Sequence, residues 1–268
     1  MGQLVLDPFI HIPVELAKMP ISGLAADYPD GHLIQEHQHV RAQFLYAVQG
    51  VMVIDAQEGR WVVPPSRGVW LQPGRPHTVR MRGQVKMRTI FVDEDAAPGL
   101  PARNCVLDVS PLLRELILEA SRIPLVYAQD SRDGRLMRLL LDELRELPVL
   151  PFHLPWPEEP RLLLVCRHLE ASPDDDRDAD AWAKQLAMSV KTFHRLFRRH
   201  TGISFGQWRQ FARLLGSLEG LAAGEPVVQV ALQHGYASQS AYAAVFRRHF
   251  GVTPREFYRS KDSADEAD

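Results

Sequence analysis

The pattern Phe-Arg-Arg-His-x-Gly occupies Phe197 to Gly202 and returns 49 positions later at Phe246 to Gly251. Its paired guanidinium groups, with Lys191, His194 and Arg195 ahead of the first pair, are long hydrogen-bond donors suited to phosphates and base edges. Each copy has a serine eight residues before its phenylalanine, Ser189 and Ser238. Serine caps helix starts and glycine closes helix ends, so the spacing predicts two short basic helices in a duplicated unit. Two such helices suit two grooves of one duplex.

The first unit reads as a helix from Ala179 to Ala187, a turn at Met188, and a second helix from Ser189 to about His200. Val190, Phe193, Leu196 and Phe197 fall on its inner face, leaving Lys191, His194, Arg195 and Arg198 outward. Arg195 is the strongest base-reading candidate, because a guanidinium can bond guanine bidentately for about 1–3 kcal/mol of discrimination. The second unit reads as a helix over Val227–His234, a turn containing Gly235, and a helix from Ser238 to Phe250. Tyr242, Val245 and Phe246 face inward there, and Gln239, Ser240, Ala243 and Ala244 outward. Glutamine pairs with adenine, whereas alanine can only touch a thymine methyl. This half is therefore expected to grip phosphates, through Arg247 and Arg248, more than to read sequence. Between the units Ser204 to Ala223 reads as one helix, with Phe205, Trp208, Phe211, Leu214, Leu215, Leu218 and Leu221 on its apolar face. Such a rod spans about 30 Å, close to the roughly 34 Å between successive turns of a groove.

The net charge of −2 conceals a strong asymmetry. From Ala183 to Lys261 there are twelve basic and three acidic residues, a surplus of nine that leaves −11 on the rest of the 268-residue chain. A basic domain inside an acidic chain is the footprint of a polyanion partner. RNA fits less well than duplex DNA, because the basic face lacks stacking aromatics. No apolar run reaches the roughly 18 residues of a membrane span, and Met1 to Ile10 lacks the pattern of a signal peptide. Cys105 and Cys166 lie in apolar runs without partners at metal-ligand spacing, which predicts buried thiols in a reduced, cytoplasmic setting.

The elements ahead of the basic region change character along the chain. Phe44–Val48, Val51–Ile54, Trp61–Val63 and Val69–Leu71 are short β-type runs between Gly and Pro signals, within a β-rich stretch from about Leu24 to Val92. That rhythm predicts a sandwich or barrel. Ser110-Pro111 then opens a helix with Leu112, Leu113, Leu116, Ile117 and Ala120 as a stripe. A second helix follows over Arg132–Leu147, striped by Leu136, Leu139, Leu140, Leu144 and Leu147. These two helices are expected either to pack on the barrel or to pair two subunits. Five prolines between Pro148 and Pro160 mark a stiff linker. The Asp174–Asp176 run reads as a solvated loop, with Asp178 or Asp180 capping the next helix.

Residues from about 158 to 260 resemble the DNA-binding domain of the AraC/XylS transcription-regulator family. The matching segments are Ala187–Arg199, Gly202–Phe205, Val230–Tyr236 and Phe246–Pro254. The resemblance implies base contacts from Lys191, His194 and Arg195, and from Gln239, Ser240, Ala243 and Ala244, with Arg198, Arg199, Arg247 and Arg248 beside them. Some members carry a long polar or basic residue where this chain has Ala244.

Further upstream, Gly31, His37, His39, Gln43 and Gly50 resemble the first motif of cupin barrels, with glutamine where glutamate is usual. Gly74-Arg75-Pro76-His77 resembles the second, whose usual final Asn falls at Met81. By that resemblance His37, His39, Gln43 and His77 hold a divalent transition metal; the residues equally allow a metal-free pocket in which they bind an effector or remain as core polar groups. The chemistry is coherent, since alternate strand residues share a side and imidazoles suit such ions. Tyr46, Trp61, Trp70, Arg41 and Arg67 are further candidates for the pocket wall.

The sequence thus predicts an α+β multidomain chain. A cupin-like sensor barrel occupies 1–105, a helical connector 106–150, a Pro-rich linker 151–160, an all-α domain with two helix-turn-helix motifs 161–260, and an acidic tail 261–268. The expected function is a non-enzymatic, sequence-specific transcription regulator whose partners are double-stranded DNA, a small-molecule effector, RNA polymerase and, through the leucine-rich helices, a second copy. The competing reading is a metal-dependent cupin enzyme carrying a nucleic-acid module.

Overall fold

The computed structural model describes residues 19–65, 67–96, 98–150 and 152–259. The N-terminal segment read for targeting signals and the tail at 261–268 lie outside them. Two compact units divide the chain, one through His153 and one from Leu154.

In the first unit the strands are β1 (Ile21–Tyr28), β2 (Leu33–His37), β3 (Ala42–Ala56), β4 (Gly59–Val63), β5 (Arg67–Leu71), β6 (His77–Val92), β7 (Cys105–Asp108) and β8 (Val149–Leu150), with β9 (His153–Pro155) at the unit boundary. The long strands β3 and β6 pair antiparallel from Ala42 opposite Val92 to Ala56 opposite His77. Their register slips between Ala47 and Val51. Gly50 sits at that slip with φ 78°, and a side chain there would come within 2.5 Å of the Gln84 carbonyl oxygen. The patterning treats Gly50 as a turn between two strands. It is instead a bulge within one strand, since glycine serves either purpose. The bulge bends the sheet into two leaves, β1, β5 and β7 extending one and β2 and β4 the other.

Helices α1 (Pro111–Ala120) and α2 (Arg132–Arg145) start at Ser110 and Ser131, whose hydroxyls accept from the N–H groups of Leu113 and Gly134. They pack on each other, and α1 packs on β1 and β6. Leu113, Ile117, Leu140 and Leu144 complete a core with Phe44, Tyr46, Trp70 and Ile90. The two helices pack on the barrel, as one of the expectations had it, so residues 106–150 contribute to the barrel's own core. Two stripe assignments need correction. Leu112 and Leu139 are 50% and 43% exposed, while Met137 and Leu141 are buried. A helix resting on a sheet buries only one arc, and leucines at its edge stay wet.

The second unit is helical: α3 (Pro160–Ala171), α4 (Ala179–Gln185), α5 (Val190–Thr201), α6 (Phe205–Ala222), α7 (Val227–Gln233), α8 (Gln239–Phe250) and α9 (Pro254–Arg259). Glu159 caps α3 with Pro160 in its first turn, so the Pro-rich stretch ends as a helix start. Asp178, rather than Asp180, caps α4 by accepting from Ala181 N–H at 2.9 Å. Helix α6 packs against α3, α5, α7 and α9, burying Trp208, Leu214, Leu215 and Leu218. Its eighteen residues rise about 27 Å. Among the described residues no helix is long and apolar enough to cross a membrane. Both cysteines are buried and free, and burial pushes the Cys105 thiol up to about 11.

Candidate DNA-reading helices and barrel site

Helix α5 begins where the Ser189 hydroxyl accepts from Thr192 N–H at 3.2 Å. It ends at Gly202, whose φ of 77° lets its N–H reach the Arg198 carbonyl at 2.9 Å. Phe193 and Phe197 are fully buried, meeting Phe205 edge-on at 5.2 and 5.4 Å between ring centroids. That seam presses one face of α5 onto α6 and leaves the opposite face in solvent. Lys191, His194, Arg195, Arg198 and Arg199 are all exposed. No ion pair or side-chain hydrogen bond within the described residues engages Arg195, Arg198 or Arg199, so these donors stand ready for an external acceptor.

Helix α8 repeats the frame. Ser238 accepts from Ala241 N–H at 3.1 Å, and Gly251, with φ 78°, donates to the Arg247 carbonyl at 2.9 Å. Tyr242 and Phe246 are fully buried. The Tyr242 hydroxyl pairs with Ser217 Oγ at 2.8 Å, and Phe246 packs on Phe250 and Phe257. Gln239, Ser240, Ala244, Arg247 and Arg248 are exposed and Ala243 half-buried. Arg248 and His249 both approach Gln210 Oε1 of α6 at 3.4 Å.

Charge counting overstates the free basic surface. Arg209 donates to the Arg177 carbonyl at 2.8 Å. Arg213 donates to the carbonyls of Pro173, Asp175 and Gly235 at 2.7, 3.1 and 3.2 Å. Both arginines pin the loop before α4, and burial lowers the Arg213 pKa. Within that loop Asp175 accepts from Arg177, which lies 3.8 Å over the Trp182 ring, and pairs with His168 Nε2 at 2.7 Å. The Arg177 hydrogen bonds hold the Asp175 carboxyl well below its ordinary value. Composition carries no signal that separates these pins from reading residues.

In the barrel, His37 lies directly opposite His77 across β2 and β6, with ring centroids 4.4 Å apart. His39 follows the end of β2, held where its carbonyl accepts from Gly74 N–H at 2.8 Å. It is 4.9 Å from the His37 ring and 5.7 Å from the His77 ring. Each histidine offers one ring nitrogen, all within 4.8 Å of one another. His37 Nδ1 lies 2.8 Å from the Gln35 carbonyl oxygen and His77 Nδ1 2.9 Å from that of Arg75. A carbonyl only accepts, so both Nδ1 atoms carry a proton. Burial, followed by the neighbouring His37, lowers His77 to about 3 and keeps it neutral.

Gln43 lines the same cavity as His37, His39 and Thr89, amid Leu45, Met87 and Phe91. His77 Nε2, Gln43 Oε1 and Thr89 Oγ1 are buried with no hydrogen-bond partner among the described residues. This donor set fits a divalent transition metal. The nitrogens would close from within 4.8 Å toward the roughly 3.3 Å that tetrahedral bonds of about 2.0–2.1 Å require. Met81, at the second motif's final position, is a buried apolar residue and offers no such ligand.

The wider candidates do not line the cavity. Tyr46 and Trp70 belong to the core beneath α1 and α2, since Phe44 and Tyr46 point opposite to Gln43 and Leu45 along β3. Trp61 stacks on His153, Arg41 donates to the carbonyls of Met19 and Pro20, and Arg67 pairs with Asp108.

A basic helix pair on one unit and a polar-ended cavity in a separate β unit define a two-part DNA-binding regulator. Residues 19–181 match the family model for an AraC-like ligand binding domain, and 182–260 the model for a helix-turn-helix domain. The chain belongs to the AraC family of transcriptional regulators. It is 32% identical over 221 residues to the HTH-type transcriptional regulator NimR of Escherichia coli, covering 82% of this chain and 81% of that protein. It is 30% identical over 132 residues to RipA of Corynebacterium glutamicum, covering 49% and 38% of the two chains. Fatty-acid-bound ToxT of Vibrio cholerae aligns over 88% of this chain and 94% of its own with 11% identity and a TM-score of 0.38, too loose to transfer detail.

Proposed function

We propose that the protein is an effector-controlled, sequence-specific regulator in which α5 reads bases and α8 chiefly holds phosphates. The observation that supports this most is the exposed face of α5, where Lys191, His194 and Arg195 precede Arg198 and Arg199. On α8 the corresponding face offers Gln239, Ser240, Ala243 and Ala244 ahead of Arg247 and Arg248. Bound duplex places the protein where it recruits or blocks RNA polymerase. The effector binds in the barrel cavity, with His37, His39, Gln43 and His77 as its polar side and a divalent transition metal as the cofactor this donor set suits. It changes transcription only by favouring one domain arrangement over another, and a second copy of the chain supplies the second half-site.

Footprinting on DNA fragments selected by the purified protein tests this reading. Protection of two adjacent major-groove segments per bound copy is expected, and protection of a single segment per copy would overturn it. Arg195→Ala should relax base preference at one position by about 1–3 kcal/mol. Arg247→Ala should weaken binding on every sequence and lower the salt slope by about 0.9.

A further inference from the structure

Among the described lining residues of the barrel cavity there is no carboxylate. Three neutral imidazoles and the neutral amide of Gln43 would therefore leave a bound divalent ion with its whole charge. Around it stand Leu45, Met87 and Phe91, and a buried, unpaired charge is costly in such surroundings. A carboxylate at position 43 would offset half of that charge. Glutamine does not, although its Oε1 is buried without a hydrogen-bond partner among the described residues. The Thr89 hydroxyl lines the same cavity and is likewise buried without one, so a proton donor is already in place for an incoming acceptor. The cavity measures about 20 Å³, roughly the room for one water. So narrow a space favours the smallest ligands.

From this we infer that the barrel takes a divalent transition-metal ion together with one small anion, and that Gln43 is the residue that makes the anion necessary. His37, His39 and His77 supply nitrogen, Gln43 supplies a weak oxygen, and the anion completes the shell, which such ions can expand to five. The effector class is then a small anion sensed only when metal is bound. This rests on the barrel cavity being the effector site.

The test uses the full-length protein, stripped by chelator and reloaded with stoichiometric cobalt(II), whose visible absorption reports its ligands. Azide and acetate should each shift the spectrum saturably, and octanoate should not. Gln43→Glu should hold cobalt more tightly and azide on the order of tenfold to a hundredfold more weakly, because the added carboxylate competes for the same charge. Gln43→Leu, neutral but without the oxygen, should bind cobalt more weakly and keep the azide response. Circular dichroism melting identifies any variant that fails to fold, and the other variant then carries the comparison. Equal azide affinity in wild type and Gln43→Glu, or cobalt that ignores azide, overturns the inference. So does octanoate binding as well as acetate. Failure to take up cobalt overturns it too, while retention of selected DNA by the same protein keeps the regulator reading standing. Loss of DNA retention by the untreated protein is the separate result that removes that reading.

Discussion

Helices α5 and α8 share a frame and differ in the face they show. Each is twelve residues long, starts at a serine whose hydroxyl accepts a backbone N–H, and stops at a left-handed glycine. Each is anchored by two fully buried aromatic rings, Phe193 and Phe197 in one and Tyr242 and Phe246 in the other. Their C-terminal basic runs match, Arg198-Arg199-His200 and Arg247-Arg248-His249. The solvent faces have diverged, with long donors early in α5 and small side chains early in α8. Placement of a helix and the chemistry it offers are thus separately encoded. Buried and capping positions set the first and exposed positions the second, so one can change without the other.

The comparison breaks most readily at the anchors. Phe197→Ala and Phe246→Ala should each cost about 3–5 kcal/mol, read from urea unfolding followed by circular dichroism. A loss below about 1 kcal/mol at one site alone would mean that the frames are not equivalent. Ala244→Arg sharpens the distinction between faces. It should add base preference of about 1–3 kcal/mol in the half-site facing α8, scored by selection from randomised duplexes. Unchanged preference would show that something other than the outward alanines limits α8. The smallest effect is at the caps: Ser189→Ala and Ser238→Ala should each lose about 1 kcal/mol in thermal unfolding, and a marked inequality would reveal unequal fraying of the two starts.

Much of the helical unit was legible because its signals are local. Ser189, Ser204 and Ser238 act as caps and Gly202 and Gly251 as stops at the positions their types suggest. The β unit was less legible. Gly50 carries the same residue type whether it turns a hairpin or bulges a strand, and only the partner strand β6 distinguishes the two. Leu112 and Leu139 fit a helical stripe, but which arc is covered depends on the sheet beneath. The short strand β7, two residues of which sit opposite Val69 and Trp70, left no periodic trace.

The amino-acid order alone determined the two basic helices, their ends and their outward residues, because capping and amphipathic periodicity act over three or four neighbouring residues. Tertiary structure decided which arginines are free, tying Arg209 and Arg213 to carbonyls at residues up to 40 positions away. It also brought His37 and His77 into one cross-strand pair and turned Gln43 into the cavity that His37 and His39 line instead of toward the helices. Burial and ligand geometry depend on which strands become neighbours, and that pairing is settled by the whole core.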